Sequence, residues 1–286
     1  MKRIFILSII ALLMTGCKEK LPPNEEGTPM QDVEYGTHPR QKMDISLPST
    51  ADDRHKAPVI LCIHGGSWSG GDKTDFEYLK TTVNKVNCAY VSINYRLLPD
   101  NANFLDMQED IHTAVAFLKA HSDRYHLKID KLAIIGSSAG AHLALLYAYA
   151  VQSSIKVACV ASQSGPADFR EMNVSSNLAL VNRLCNTQVT SAQLASPDFS
   201  FPDAWLSASP VEHVSSASPP TLLAHGVKDE LVPYSNAVNL NDKLEKFGVT
   251  HQLITFPNSG HELSKDADAS KEYQQALADY LMLYLF

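Results

Sequence analysis

One pentapeptide constrains this chain more than any other segment: GSSAG at 136–140, with Ser138 at its centre. An apolar run over 132–135 precedes it, and a helical pattern begins at Ala139. A strand, G-x-S-x-G and a helix in this order are typical of a sharp turn that raises one serine hydroxyl above a sheet. Glycine is expected at both flanks because a Cβ atom there would meet the neighbouring strand and helix. We therefore predict that Ser138 is a nucleophile.

Extended and helical patterns alternate along the chain from Asp32. The predicted strands are 32–36, 42–47, 58–63, 88–94, 131–136, 156–163, 220–225 and 251–256. The predicted helices are 73–86, 104–121, 139–151, 234–247 and 267–284. The later strands are apolar on both faces, as parallel strands covered by helices should be, and the first two predict an antiparallel entry. This pattern predicts an α/β fold with a mostly parallel eight-stranded sheet and helices on both faces, which binds ligands at the carboxyl ends of its strands.

Residues 166–210 interrupt this alternation. They are polar, show weak periodicity and include Trp205. A connection of this length is usually functional, so we predict a lid or substrate wall. The alternative is a partly helical insertion that packs on the edge of the domain.

The N-terminus carries a targeting pattern. Two basic residues precede an apolar run over 4–14, and small residues then lead into Cys17. The run is shorter than the roughly 20 residues of a membrane-spanning helix, and it is typical of a secretory signal. It resembles the lipobox of bacterial lipoproteins, which implies cleavage before Cys17, a diacylglycerol on its sulfur and a membrane-anchored protein in the periplasm or at the cell surface. We predict a signal peptide over 1–16, a tether over 17–31 and one domain over 32–286. An ordinary signal with Cys17 left free is the alternative.

Charge and cysteine usage narrow the partners. The net charge is −7 and there is no basic stripe, which argues against nucleic acid as a partner. Cys62, Cys88 and Cys159 lie in or beside apolar runs, so buried thiols are expected rather than a disulfide framework. The spacing of Cys and His matches no metal site, and we predict no metal and no cofactor.

A nucleophilic serine needs a base, and the base needs an orienting acid. Asp229 and His261 follow the last two predicted strands, so the chain order is Ser, Asp, His. Among the 11 histidines, His261 is favoured because Gly260 precedes it on a tight loop after a strand. We predict that His261 is the base and Asp229 its partner.

Other acids and bases are weaker candidates. Glu230 and Asp168 compete with Asp229 for the acidic role. His142 lies on the helix after the elbow and is predicted to pack in the core. His225 ends a predicted strand and is expected to hydrogen-bond to the backbone.

The loop after the third predicted strand reads HGGSW at 64–68. Its glycines let the backbone approach a substrate without an intervening side chain. Backbone N–H groups from this loop and from Ala139 are expected to stabilise a developing oxyanion.

Several motifs together resemble α/β-hydrolase serine esterases of the hormone-sensitive-lipase-like branch with an HGGxW motif. They are QKMDISLP at 41–48, HGGSW at 64–68, NYRL at 94–97, GSSAG at 136–140, Asp229 and Gly260-His261. Within that branch the chain is similar to xylan-acetyl/feruloyl-esterase-like and kynurenine-formamidase-like groups, from about residue 32 to the end. The resemblance implies the α/β-hydrolase fold and an oxyanion hole formed by the N–H groups of Gly66, Ser67 and Ala139.

The resemblance also bears on the pocket. Residues 18–31 are too short and proline-rich for the N-terminal helical cap of lipase-like relatives, so an open pocket with 166–210 as its main wall is expected. Candidate pocket residues are His64, Gly65, Trp68 and Trp205.

The predicted function is a serine carboxylesterase that hydrolyses small acyl esters through a Ser-His-Asp triad and an acyl-enzyme. Export and family resemblance favour deacetylation or deferuloylation of plant polysaccharide fragments. The expected partners are an ester or acylated oligosaccharide and, through Cys17, a membrane. The alternatives are an arylformamidase-like amidase and a non-catalytic glycan-binding lipoprotein at the cell surface.

Overall fold

The computed structural model describes residues 30–151 and 153–286. The predicted signal peptide, the lipidation site at Cys17 and the tether up to residue 29 lie outside the described residues. The first strand already begins at Met30, before the predicted domain start at Asp32. Among the described helices, none combines the length and apolarity needed to cross a bilayer.

Every predicted strand and helix is present, with shifts at the ends. The strands are β1 (Met30–Glu34), β2 (Lys42–Ser46), β3 (Ala57–Ile63), β4 (Ala89–Ile93), β5 (Leu127–Ser137), β6 (Lys156–Gln163), β7 (Thr221–Gly226) and β8 (His251–Phe256). The helices are α1 (Glu77–Lys85), α2 (Phe104–Ala120), α3 (Ala139–Ala150), α4 (Val174–Leu184), α5 (Ser191–Leu194), α6 (Asp203–Ala208), α7 (Ser235–Lys246) and α8 (Ala267–Tyr280). A 3₁₀ turn leads into α1, and a π-helical turn follows α8.

The eight strands form one sheet in the order β1-β2-β4-β3-β5-β6-β7-β8. The pairs β1–β2 and β2–β4 are antiparallel, and every later pair is parallel. The α/β-hydrolase fold with its mostly parallel sheet and antiparallel entry is therefore confirmed. The loops after β3, β5, β7 and β8 share one edge of the sheet, because they follow parallel strands.

The sheet divides the core into two halves. All seven residues of β3 are buried, and its side chains alternate between the two faces. Val59 and Leu61 join the half that contains apolar side chains of α2, α3 and α7. Ile60 and Cys62 join the half that contains those of α1 and α8. Helices therefore cover both faces, as the apolar strands predict.

The insertion over 166–210 is partly helical. It contains α4, α5 and α6, which its weak periodicity did not reveal. Its apolar side chains Val181, Leu184 and Trp205 are buried on the face of the sheet that carries α3. Trp205 also donates a 2.8 Å hydrogen bond from Nε1 to Thr187 Oγ1, within the insertion itself.

The four cysteines among the described residues are buried free thiols, as expected for those in apolar runs. Burial raises the pKa of Cys88, Cys159 and Cys185 to about 12. Cys62, on β3, is fully buried and its pKa is raised for the same reason. All four thiols therefore stay protonated at neutral pH and behave as small apolar side chains.

Candidate active site

Ser138 stands on the turn between β5 and α3. Its backbone has φ 52° and ψ −121°, a combination that costs a non-glycine residue of order 1–3 kcal/mol. The turn is fixed to the neighbouring strand, because the Ser138 N–H donates a 2.8 Å hydrogen bond to the carbonyl of Gln163 at the end of β6. The elbow predicted from the motif is therefore present.

The glycines of the elbow are required by close backbone contact. A Cβ atom on Gly136 would press into the Gly140 carbonyl, and one on Gly140 would press into the carbonyls of Ile63 and His64. A Cβ atom on Gly65 would lie 2.9 Å from the Ser137 carbonyl and 3.2 Å from Ser138 Cβ. These contacts fix the loop after β3 against the serine.

Ser138, His261 and Asp229 form one chain of hydrogen bonds. His261 Nε2 lies 2.8 Å from Ser138 Oγ, and its Nδ1 lies 2.8 Å from Asp229 Oδ2. The other carboxylate oxygen, Oδ1, accepts two 2.9 Å bonds from the backbone N–H groups of Leu231 and Val232. These bonds orient the carboxylate so that Oδ2 faces the imidazole. The structure thus brings together the three residues that the sequence singled out.

Asp229 is held as an anion. Burial raises the pKa of the Asp229 carboxyl, but hydrogen bonds from His225, His261 and the Val232 N–H lower it by more. The pKa therefore lies well below the usual range. A carboxylate that stays charged at neutral pH can keep Nδ1 of His261 protonated. Nε2 of His261 is then free to accept the proton of Ser138.

His225 is a contact of the site that the sequence did not reveal. It is buried, and its Nε2 lies 2.9 Å from the Val232 carbonyl, which confirms the expected backbone bond. The same nitrogen lies 3.3 Å from Asp229 Oδ2. The carbonyl can only accept, so Nε2 carries a proton and points it at both oxygens. The spacing H-x-x-x-D across the end of β7 is the signal that could have indicated this second imidazole.

The weaker candidates for the acid and the base make other contacts. Asp168 binds the Arg170 guanidinium through two 2.8 Å contacts, and Glu230 is exposed. His142 is fully buried, accepts a 3.1 Å bond from Trp68 Nε1 and contacts the Ala208 carbonyl at 2.7 Å. Burial lowers its pKa to about 4, so it is neutral and packs in the core as predicted.

The loop after β3 presents backbone N–H groups beside Ser138. Gly66, Ser67 and Trp68 have positive φ values of 101°, 51° and 55°, and the Gly66 carbonyl accepts from two later residues of the turn. Among the described residues, the N–H groups of Gly66, Ser67 and Ala139 have no acceptor. Unpaired N–H groups at this place are suited to bind a negatively charged oxygen.

Three of the four predicted pocket residues are core residues instead. His64 is fully buried, stacks on Tyr95 at 4.5 Å and accepts the Tyr95 hydroxyl at its own carbonyl. Trp68 is buried against His142, and Trp205 is buried within the insertion. The predictions for these three were wrong. The motif that contains His64 and Trp68 does not reveal which way their rings point, and Trp205 belongs to an insertion that does not reach the cleft. Gly65, the fourth, does line the cleft.

A cleft of about 770 Å³ opens at Ser138 and His261 and extends between α1 and α8. Not one of the described residues 166–210 lines it, so the prediction that this segment forms the main wall was wrong. The physical reason is that the insertion buries its apolar side chains on the opposite face of the sheet. The walls are provided by the two helices and by the loops after β3 and β8.

Two curated ester hydrolases are similar to this chain in sequence. The chain is 31% identical over 257 residues to the probable carboxylic ester hydrolase LipM of Mycobacterium tuberculosis, covering 84% of this chain and 58% of that protein. It is 28% identical over 260 residues to esterase LipQ of the same organism, covering 87% of this chain and 61% of the relative. The chain thus spans only about 60% of the length of these two curated relatives.

Solved structures share the fold. A truncated carbohydrate esterase from gut microbiota superimposes with a TM-score of 0.74 at 20% identity, covering 91% of this chain and 98% of that one. The native esterase Est2 of Thermogutta terrifontis gives a TM-score of 0.73 at 18% identity, covering 92% and 95%. Identities this low speak for the fold alone. A family model named BD-FAE, in contrast, matches residues 43–244, more than half of the sequence. This protein therefore belongs to the BD-FAE family of α/β hydrolases.

Proposed function

We propose that this protein is a serine carboxylesterase. The observation that carries the proposal is the hydrogen-bonded chain from Ser138 through His261 to Asp229, which opens into a cleft beside three unpaired backbone N–H groups. The names of LipM and LipQ, both ester hydrolases, support the same reaction class.

In the first step, Ser138 Oγ attacks the carbonyl carbon of the ester while His261 Nε2 takes the hydroxyl proton. The carbonyl oxygen becomes negative and is bound by the N–H groups of Gly66, Ser67 and Ala139, each worth about 3 kcal/mol in the transition state. His261 then gives its proton to the leaving alcohol, the C–O bond of the ester breaks, and the acyl group remains on Ser138.

In the second step, water attacks the acyl-enzyme. His261 takes one proton from the water, and the same N–H groups bind the second oxyanion. Collapse of this intermediate releases the acid and returns the proton to Ser138. Asp229 stabilises the imidazolium in both steps and keeps the imidazole in the required tautomer.

The substrates we propose are acyl esters of plant polysaccharide fragments, with acetyl and feruloyl groups as the first choices. The support is the resemblance to xylan-acetyl/feruloyl-esterase-like groups and the export pattern at the N-terminus, since polymers are met outside the cytoplasm. Lipid anchoring at Cys17 in the periplasm or at the cell surface belongs to the same proposal. Lipid attachment would be tested by mass spectrometry of the mature protein and of Cys17→Ser.

The reaction class is tested by labelling with a fluorophosphonate. We expect the wild type to be labelled and to release p-nitrophenol from p-nitrophenyl acetate. Ser138→Ala should take no label and release no p-nitrophenol. Ser137→Ala, which removes the neighbouring hydroxyl, should still be labelled. A folded wild type that takes no label would refute the triad and favour a non-catalytic glycan-binding role.

The substrate class is tested separately, with acetylated and feruloylated xylan oligosaccharides. Release of acetate or ferulate is the expected result. An enzyme that takes the label but cleaves N-formyl aromatic amines faster than every ester would instead be an amidase.

A further inference from the structure

Trp68 anchors the loop after β3 in the core. It is the one buried residue of the turn 66–69, whose other members are exposed. Its carbonyl accepts a 2.8 Å bond from the Leu98 N–H. The proposed oxyanion donors Gly66 and Ser67 directly precede it, and all three residues have positive φ. A turn in this conformation persists only where its surroundings hold it, so the placement of the two donors depends on how the indole is held.

The indole is held by His142, in the first half of α3. Trp68 Nε1 donates a 3.1 Å bond to His142 Nδ1, and His142 Nε2 lies 2.7 Å from the Ala208 carbonyl. A carbonyl can only accept, so Nε2 carries the proton and Nδ1 is left to accept from the indole. The backbone N–H of His142 donates a 3.0 Å bond to the Ser138 carbonyl. One directed chain of hydrogen bonds therefore runs from the loop after β3, past the elbow, to Ala208.

The insertion over 166–210 provides two contacts of this pair of rings. Ala208 is the last residue of α6. The Phe169 ring packs edge-on against His142, with centroids 5.3 Å apart, and lies 6.1 Å from the Trp68 ring. The insertion thus reaches the elbow and the loop after β3 through the core, on the side away from the cleft.

Ser209 joins the two contact points of the insertion. Its hydroxyl donates a 2.8 Å bond to the Trp205 carbonyl and accepts a 3.0 Å bond from the Phe169 N–H. Ser209, Phe169 and Ala208 are all fully buried. The end of α6 and the Phe169 ring are therefore fixed relative to each other.

We infer that the insertion has a positioning role in the proposed reaction, with His142 and Trp68 as the positioning residues. Through them it holds the turn that carries the N–H groups of Gly66 and Ser67 beside Ser138. This role rests on the proposed esterase function. Neither ring lines the cleft, so the pair should affect the transition state rather than the binding of the substrate.

Trp68→Phe removes the indole donor and is compared with Tyr149→Phe. For p-nitrophenyl acetate we expect Trp68→Phe to lower kcat about tenfold with KM unchanged, because the donors are displaced rather than deleted. Tyr149 lies at the other end of α3, where its hydroxyl is 2.7 Å from Thr221 Oγ1. Tyr149→Phe should be less stable in urea but keep the wild-type kcat. Equal losses of kcat in the two variants would overturn the positioning role.

His142 is tested by a pair of variants. His142→Leu removes both hydrogen bonds, whereas the side-chain oxygen of His142→Asn can still accept from Trp68 near the position of Nδ1. We expect kcat to fall about tenfold or more in His142→Leu and to recover in His142→Asn to within about threefold of the wild type. Adding Trp68→Phe to His142→Leu should cause no further loss, since the two side chains act as one unit. If His142→Leu does not fold, His142→Asn decides alone. A folded His142→Asn no more active than Trp68→Phe, or additive losses, would overturn the chain.

Ser209→Ala tests the insertion without changing either ring. It removes the link between Phe169 and the end of α6. We expect kcat to fall about three- to tenfold with KM unchanged, and little further loss when Trp68→Phe is added. A folded Ser209→Ala with the wild-type kcat would overturn the role of the insertion.

A small trifluoromethyl ketone reports on the oxyanion directly. In its adduct Ser138 Oγ bonds to the carbonyl carbon, the hydroxyl proton passes to His261, and the ketone oxygen becomes an oxyanion. We expect the inhibition constant to rise in Trp68→Phe by the factor by which kcat/KM falls, and to stay unchanged in Tyr149→Phe. A lowered kcat/KM with an unchanged inhibition constant in Trp68→Phe would overturn the link to the oxyanion donors.

The outcomes separate this role from the proposed function. If the wild type takes no fluorophosphonate and cleaves no ester, the esterase proposal fails and the positioning role falls with it. If the wild type is active and Trp68→Phe behaves like Tyr149→Phe, only the positioning role fails.

Discussion

Gly140→Ala tests whether backbone contact holds the loop after β3, with its proposed oxyanion donors, in place. The added Cβ would press into the carbonyls of Ile63 and His64, which must retreat by about 1 Å, a displacement that can cost 100-fold in rate. Gly66 and Ser67 come one residue further on, after Gly65, so the proposed oxyanion donors move with the strand end. We expect kcat/KM for p-nitrophenyl acetate to fall about 100-fold, close to the loss of one such donor at about 3 kcal/mol.

Stability should fall as well, by about 1–3 kcal/mol, because the contact is overpacked. Chemical denaturation measures this change, and circular dichroism at the assay temperature verifies that the variant is folded. The control is Gly70→Ala, in the same loop region, where the nearest atom would be 4.0 Å from the new Cβ. The kcat/KM of Gly70→Ala should stay within about twofold of the wild-type value, because the new methyl group meets no close neighbour. The reasoning would be refuted if folded Gly140→Ala kept a kcat/KM within threefold of the wild type, or if Gly70→Ala lost as much kcat/KM as Gly140→Ala.

The remaining predictions concern the acid of the triad and two buried rings. Asp229→Asn should lower kcat by about 10⁴-fold, measured with p-nitrophenyl acetate, because the imidazole loses its orienting charge. The folded-state pKa of Asp229 lies below the unfolded value near 3.9, so this carboxylate stabilises the fold above that pH and its contribution is lost as the pH falls further. Urea denaturation from pH 5 down to pH 3 should accordingly show a weaker pH dependence in Asp229→Asn than in the wild type. His225→Leu removes a donor to Asp229 and should cost about 1–3 kcal/mol of unfolding free energy. Its kcat should fall far less than that of Asp229→Asn, because two backbone N–H groups still hold the carboxylate; equal losses would contradict this reasoning. Trp68→Phe removes the bond to His142 and should cost about 0.5–1.5 kcal/mol in a thermal melt, with KM unchanged because Trp68 lies outside the cleft.

The sequence could predict that Ser138, His261 and Asp229 lie together because the signals for this are local. An apolar run followed at once by a polar residue marks a strand end, and parallel strand ends meet at one edge of the sheet. Ser138, Asp229 and His261 each follow such a run, so their meeting could be predicted without knowing any helix position. His225 was only half understood, since its backbone bond depends on the strand end but its contact with Asp229 depends on the turn that follows.

The cleft could not be predicted in the same way. Its shape depends on the space left between α1 and α8, which belong to opposite parts of the chain. Periodicity says which face of a helix is buried but not how closely two helices approach. The same limit explains why Trp205 was wrongly predicted to line the pocket. Its segment contains helices too short for a clear pattern, and it packs on the face of the sheet opposite the cleft.

The division between strand-end loops and helices has a consequence for how such a protein can change over time. The proposed reacting groups are fixed by backbone contacts at the sheet edge, whereas the side walls of the cleft are helix side chains such as Leu79 and Ala278. A mutation in either helix can alter which ester fits without displacing Ser138 or His261. Under the proposed function, single substitutions in these helices can therefore change the acyl group that is accepted while the triad stays intact, and a lineage can change its specificity in small steps.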